Sequence, residues 1–395
     1  MLIEKPETLL TPGPVPVSPG VLLAQGSPLL YHRGPAFSEV LESVVEGVQM
    51  LLKTRSRVVI HTSSGTGGME SAVANCFSPG DPVLVVSIGN FGERFIKICR
   101  AYGLDVKTLE YEWGQEARPE DVKKALDDNP SLKGVLVTHS ETSTGVVNDI
   151  EAISAAKGDH PALLIVDTVS GAGACPFEMD AWGVDVAVTG SQKAIAASPG
   201  AAFLAVSERA LEAHRQAKLP RFYFDWTAAL EAYDRPNHEC PWTPAISVLM
   251  GCKAAFDQIK KEGVDRMVAR HALLGKATRA GLLAMGLELF AASPDRSNVV
   301  TCVRGPDGLD TSKIVSHVRR RFGLVIAGGQ GKLKGKIFRV GHLGWVDRFD
   351  VLKAMAAIEA AMVDLGVPVK EGAGVAASLE VFRKADVEFD GNPPA

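Results

Sequence analysis

The chain of 395 residues has no excess of basic side chains: its formal net charge is -4, whereas a nucleic-acid binder usually shows a basic surplus. The acidity is too slight to mark an acidic tail or a disordered solvating segment. No apolar run approaches the ~20 residues that a membrane-spanning helix needs. The opening MLIEKPETLLTPGP lacks a basic stretch followed by an apolar one, so no secretory leader is expected. The ending NPPA is no peroxisomal address. Cys76, Cys99, Cys175, Cys240, Cys252 and Cys302 stand far apart and form no C-x-x-C pair. They read as small buried hydrophobes in a reducing compartment. A cytoplasmic location is expected, with no metal site, membrane or nucleic acid as partner.

What is present suits a folded protein in water. Hydrophobic residues make up 46% and charged residues 22%, and the length favours two domains over one core. Short apolar runs alternate with helical patterns. RVVIHTS (57–63), VLVVS (83–87), VKTLEYE (106–112), GVLVTHSET (134–142), ALLIVDTVS (162–170) and VDVAVTGSQKA (184–194) read as strands. Helices are predicted over 70–77, 92–103, 119–128 and 150–159. Such alternation argues a parallel sheet covered on both faces. A helical pattern from about Pro244 to Gly286 then breaks the rhythm. Beyond it, strands at 298–305, 324–329 and 336–344 and helices near 311–322 and 348–365 suggest a smaller α+β domain. The stretch 366–395 is weakly patterned, with one helix near 375–384.

In parallel sheets ligands bind beyond the carboxyl ends of the strands, and there the unusual residues stand. Ser63-Ser64-Gly65-Thr66-Gly67-Gly68 links a strand to a helix N-terminus. Its free N–H groups and the helix dipole favour an anion, although a plain tight turn has the same look. It matches neither G-x-G-x-x-G nor a P-loop, which speaks against a nucleotide. Asp167 closes the apolar run ALLIVD. A buried carboxylate needs a partner such as a protonated ring nitrogen, a helix N-terminus or a magnesium ion. Lys193 ends VDVAVTGSQK, and 186–206 holds no other Lys or Arg. Burial there lowers an amine's pKa and suits Schiff-base chemistry; the alternative is a lysine that snorkels to the surface.

Phosphate cradle, ring-nitrogen partner and depressed lysine fall at strand ends of one predicted sheet. With them stand LLTPGPVPVSPGVL (9–22), HRGPAF (32–37), SSGTGGMESAV (63–73), NFGERF (90–95), ETSTGV (141–146), VDTVSGAG (166–173), GSQKA (190–194) and FRVGHLG (338–344). Over residues from about 9 to about 365 the chain resembles the class V aminotransferase family of fold-type I pyridoxal 5′-phosphate (PLP) enzymes. Within it, the alanine–glyoxylate and serine–glyoxylate or serine–pyruvate aminotransferases look most similar. The resemblance implies a large α/β domain with a mainly parallel seven-stranded sheet, a smaller C-terminal α+β domain, and a homodimer with shared active sites. Expected boundaries are a strap over the active site at 1–20, the PLP-binding domain at 21–260 and the small domain at 261–395.

Carried onto this sequence, the family pattern implies that Ser64, Gly65, Thr66 and Gln192 grip the cofactor phosphate. Phe91 stacks on the pyridine ring where relatives often have tryptophan, and Val169 packs on the other face. Thr142 bonds the phenolic oxygen side, Asp167 pairs with the ring nitrogen, and Lys193 carries the cofactor and shuttles the substrate proton. Arg339 clamps the substrate carboxylate, with the backbone of Gly13 nearby. Thr243, in ECPWTPA, would reach the phosphate of a neighbouring subunit, although Cys240 stands where relatives often have tyrosine. The activity implied is ping-pong transfer of an amino group from a small amino acid, such as alanine or serine, to glyoxylate or pyruvate. Alternatives are a 2-aminoethylphosphonate or ureidoglycine aminotransferase, a PLP-dependent lyase such as a cysteine desulfurase, and a non-catalytic family member. GGQGKLKGK (328–336) is expected to be a mobile surface loop, and His139 to have a structural role.

Overall fold

The structure is a computed structural model that describes residues 6–292 and 297–390. The parts of the expected domain spans at 1–5, 293–296 and 391–395 lie outside the described residues.

Seven strands build the large domain: β1 (Arg57–His61), β2 (Pro82–Ser87), β3 (Asp105–Glu110), β4 (Gly134–Thr138), β5 (Leu163–Asp167), β6 (Val186–Gly190) and β7 (Ala202–Val206). Their spatial order is β1-β7-β6-β5-β4-β2-β3. β7 is antiparallel to both its neighbours, and the remaining pairs are parallel. The sheet is thus the mainly parallel one expected. Every residue of β4, β5, β6 and β7 is buried, which is why these strands are unbroken apolar runs instead of alternating ones. Edge strand β3 has no buried residue and carries Asp105, Lys107 and Glu110, charges that discourage pairing with a foreign strand.

Helix α1 (Pro35–Leu52) begins at a proline, which has no N–H to waste in a first turn. It buries Phe37, Val40, Leu41, Val44, Val48 and Leu51 on one face of the sheet, at the three- and four-residue spacing of a helical stripe. Helices α2 (Gly65–Cys76) and α3 (Asn90–Ala101) cover the other face with Met69, Ala72, Val73, Phe95 and Ile96. The helical pattern of 244–286 is two helices, α4 (Ile246–Glu262) and α5 (Val264–Ala284), separated at Gly263. That glycine has φ +84, a conformation costly to any residue with a Cβ. α4 lays Leu249 and Phe256 against the same core as α1.

The small domain holds β8 (Val300–Arg304), β9 (Ala327–Gly328) and β10 (Ile337–Gly341), antiparallel in the order β8-β10-β9. α5 runs between the two cores: Met267 packs in the large one, and Leu274, Ala277 and Leu282 in the small one. The first described strand, Thr8–Leu9, pairs with Leu324–Val325, and Leu10 lies in the small-domain core. The segment 328–336 is docked: Gly331–Leu333 forms a 3-10 turn, Leu333 is buried and the Lys332 ammonium sits 4.6 Å from the centroid of the Trp113 ring. The tail is more regular than its sequence pattern suggests. After α6 (Arg348–Asp364) comes α7 (Ala373–Asp390). α7 buries Phe382 in the small-domain core, and Ser378 Oγ donates to the Ala277 carbonyl at 2.9 Å.

Phe382→Ala therefore removes a ring from a filled core. The expected loss is about 3–5 kcal/mol of small-domain stability, seen as a lower urea midpoint. Lys384→Ala, on an exposed side chain, serves as the unchanged control.

Candidate active site

The carboxyl ends of β1, β2, β4, β5 and β6 meet along one edge of the sheet, and the turns leaving them wall a cavity of about 200 Å³. Ser64, Gly65, Thr66, Met69, Phe91, Arg94, Ser140, Asp167, Val169, Ser170, Gln192 and Lys193 line it. β1 delivers the first three. Ser64 stands at the N-cap of α2 without a side-chain cap bond, so first-turn N–H groups and its own hydroxyl face the opening. Gly65 is required by close approach: a Cβ there would lie 2.6 Å from Val169 Cγ2. Phe91 enters at the start of α3. Gln192 and Lys193 follow β6, and Gln192 Oε1 is buried with no hydrogen-bond partner among the described residues.

Lys193 has an amine whose pKa is lowered to about 8, chiefly by burial and further by the charges of Arg339 and Arg94, against the pull of Asp167. Its Nζ donates to the Pro12 carbonyl in the strap. A Cβ on Gly13, which has φ +123, would lie 2.6 Å from Lys193 Nζ, so only glycine lets the strap pass over the lysine. Asp167 is 4% exposed. Burial raises its pKa, and the Val169 N–H (3.0 Å), Arg94, Lys193 and Thr138 oppose the rise. The cavity thus holds an amine poised to lose its proton and a carboxylate steadied by donors.

Arg339 lies on β10 of the small domain and is 4% exposed. Its Nε donates to the Gly328 carbonyl and its Nη1 to the Thr142 carbonyl, both at 2.8 Å, which leaves Nη2 without a protein partner among the described residues. Thr142 itself is buried and outside the cavity lining. Its neighbour Glu141 is completely buried. Glu141 Oε2 accepts from the Phe91 N–H (2.9 Å) and the Gly92 N–H (3.2 Å), while Oε1 accepts from the Ser143 N–H (3.1 Å) and hydroxyl (2.5 Å). Burial raises its pKa and these donors lower it. One carboxylate therefore caps the helix that carries Phe91, and the next carbonyl braces Arg339.

The structure brings Ser64, Gly65, Thr66, Phe91, Asp167, Val169, Gln192 and Lys193 to one cavity, with Gly13 over the lysine. Thr243 is exposed and outside the lining. It follows Trp242, whose ring stacks on Phe222 at 4.9 Å. His139 has a packing role: it is buried against Phe177, and its Nδ1 lies 3.0 Å from Thr168 Oγ1. Sequence reasoning missed Arg94, Glu141 and Ser140. Arg94 stood in the NFGERF motif but looked like one charge among others on an amphipathic helix. Glu141 looked like the polar end of a strand.

A family model described as Aminotransferase class-V matches residues 23–335. The "Soluble hydrogenase, small subunit" of Synechococcus sp. (strain PCC 6716) is 42% identical, the match covering 95% of this chain and 98% of that protein. The L-aspartate–glyoxylate aminotransferase of Paracoccus denitrificans is 40% identical over 95% and 96%. The solved pyridoxamine-pyruvate aminotransferase of Mesorhizobium loti superimposes with a TM-score of 0.92 at 34% identity, covering 97% of this chain and 98% of that one. Fold, motif order and these likenesses agree along nearly the whole length, and the chain belongs to the class V aminotransferase family.

Proposed function

We propose that the protein is a PLP-dependent aminotransferase that moves an amino group from a small amino acid to a small 2-oxo acid such as glyoxylate or pyruvate. The observation that carries this reading is the enclosed Lys193 amine, its pKa lowered to about 8, sharing a cavity with Asp167 and an anion-ready helix N-terminus. The residues fit the cofactor. Ser64, Gly65 and Thr66 offer a phosphate cup to which the Gln192 side-chain N–H would donate, Phe91 and Val169 offer apolar faces to a flat ring, and Asp167 suits a ring nitrogen. Bound PLP supplies an aldehyde and an electron-withdrawing ring that stabilises charge at the substrate α-carbon.

The chain's own groups do the rest. Lys193 would anchor the cofactor through its amine and, once the substrate's amino group displaces it, would be free to move a proton at the substrate α-carbon. Asp167 would pair with the ring nitrogen and favour its protonated form. Arg339 turns its spare Nη2 to the α-carboxylate and fixes the angle of approach. The strap excludes water above the lysine. A small donor such as alanine or serine is the expected substrate, and the Paracoccus relative's named donor, aspartate, is the competitor to test. A sulfur-transferring lyase is disfavoured, because Cys302 is 2% exposed and burial pushes its thiol up to about 12.

We also propose a cytoplasmic homodimer. The six cysteines are free thiols, and no helix of the described residues is long and apolar enough to cross a membrane. Leu23, Leu29, Tyr31 and Phe222 are each at least two-thirds exposed, a share of apolar surface that a second copy would cover. Thr243, next to the Trp242 on which the exposed Phe222 stacks, would then reach the partner's phosphate cup.

Four outcomes are expected. Alanine, serine and aspartate, followed one at a time at the cofactor absorbance, should bleach the wild-type holoenzyme unequally, a small donor fastest. Lys193→Ala should lower turnover by at least about a thousandfold; undiminished turnover, or a wild-type chain that never takes up PLP, overturns the reading. Uptake of PLP by stripped protein should quicken with pH and level off above about 8, because the neutral amine attacks and burial lowers its pKa. An ordinary lysine would keep gaining to about 10.4. By light scattering, Phe222→Asp should shift a wild-type dimer toward monomer and weaken PLP binding; a fully loaded wild-type monomer refutes the shared site.

A further inference from the structure

The roles above leave one charge of the cavity unused. Lys193 goes to the aldehyde, Arg339 to the substrate carboxylate and Asp167 to the ring nitrogen. Arg94, on the second turn of α3, also lines the wall. Among the described residues no carboxylate lies within ion-pair reach of it. Its Nη1 donates to Thr66 Oγ1 at 2.8 Å, and its guanidinium carbon stands 4.5 Å from the centroid of the Phe91 ring. Both partners are neutral. Its field reaches further, since it lowers the pKa of both Asp167 and Lys193. A half-buried cation with neutral contact partners, in a cavity that it shares with the Lys193 amine and the single carboxylate of Asp167, leaves room for a further anion.

The direction of the Thr66 bond shows where that anion sits. Thr66 Oγ1 accepts from Arg94, so the hydroxyl proton is free to turn away from the guanidinium. Thr66 belongs to the first turn of α2, beside the N–H groups that Ser64 leaves uncapped. A hydroxyl that accepts from a cation becomes a stronger donor on its other side. Arg94 also lies against Phe91, the ring proposed as the cofactor's shelf, and so ties the shelf to the cup.

We propose that Arg94 is a positioning residue for the cofactor's phosphate: it polarises the Thr66 hydroxyl toward the dianion and holds Phe91 in place, without itself being the substrate clamp. The inference rests on the PLP reading above. It distinguishes PLP from pyridoxal, which shares the aldehyde and the ring but lacks the phosphate.

The test titrates stripped protein with PLP and with pyridoxal, followed by absorbance. Arg94→Met should weaken PLP binding roughly 10- to 100-fold and pyridoxal binding by less than about threefold. Arg94→Lys, which keeps the charge, should recover much of the loss. Arg94→Met combined with Thr66→Val should be little worse than either change alone, because both break one relay. Equal weakening of PLP and pyridoxal would overturn the inference, because it would leave Arg94 a support for the ring shelf alone, with no part in holding the phosphate. It also falls if PLP binding is unchanged while KM rises for aspartate but not for alanine, which would assign Arg94 to a substrate's distal carboxylate. If Arg94→Met does not fold, Arg94→Gln keeps a donor without the charge and should discriminate in the same way. A wild-type chain that takes up no PLP sinks the parent reading instead, so the two failures are distinguishable.

Discussion

An amine enclosed by apolar strands is expensive to keep charged, and the large domain is arranged around that expense. β6 carries Lys193 to the sheet edge out of strands with no exposed residue, where burial outweighs the attraction of Asp167 and lowers the pKa. Asp167 meets the opposite demand one strand away on β5, kept by N–H and hydroxyl donors and by positive neighbours. Neither group would have its properties in water. The seven-stranded sheet supplies the low dielectric, and the turns at its carboxyl edge supply the donors.

A second level of organisation holds those groups in register. Glu141 gathers four hydrogen bonds in a completely buried position, and three of the donors are backbone N–H groups that would otherwise be orphaned at the start of α3 and in the following turn. The adjacent Thr142 carbonyl anchors Arg339 from the other domain. The aromatic wall and the guanidinium are thus referenced to the same two consecutive residues.

Much of this was legible in the sequence because buried parallel strands write themselves as apolar runs, and a lone Asp or Lys at the end of such a run has no surface reason to be there. Asp167 and Lys193 stand out on that ground alone. Arg94 does not, because an amphipathic helix normally carries arginine and only the fold turns it toward a cavity. Glu141 is silent for a related reason: two of its four donors come from the start of α3, some fifty positions earlier. AFLAV of β7 went unread because nothing in a five-residue apolar run tells an antiparallel strand from a buried helix segment. The break at Gly263 was obscured by apolar spacing that continues in phase through it. The tail helix reads weakly because its contacts are spread over few large side chains, Phe382 foremost.

The strap belongs by hydrogen bonding to one domain and by position to the other. Thr8–Leu9 pairs with Leu324–Val325, the Gly341 N–H donates to the Leu10 carbonyl at 2.7 Å, and two residues later the Pro12 carbonyl receives the Lys193 amine. Gly341 ends the very strand that bears Arg339. Any hinge displacement of the smaller lobe therefore hauls its tethered ribbon along, so uncovering the reactive nitrogen and retracting the guanidinium become a single mechanical stroke, and neither can be throttled independently of the other.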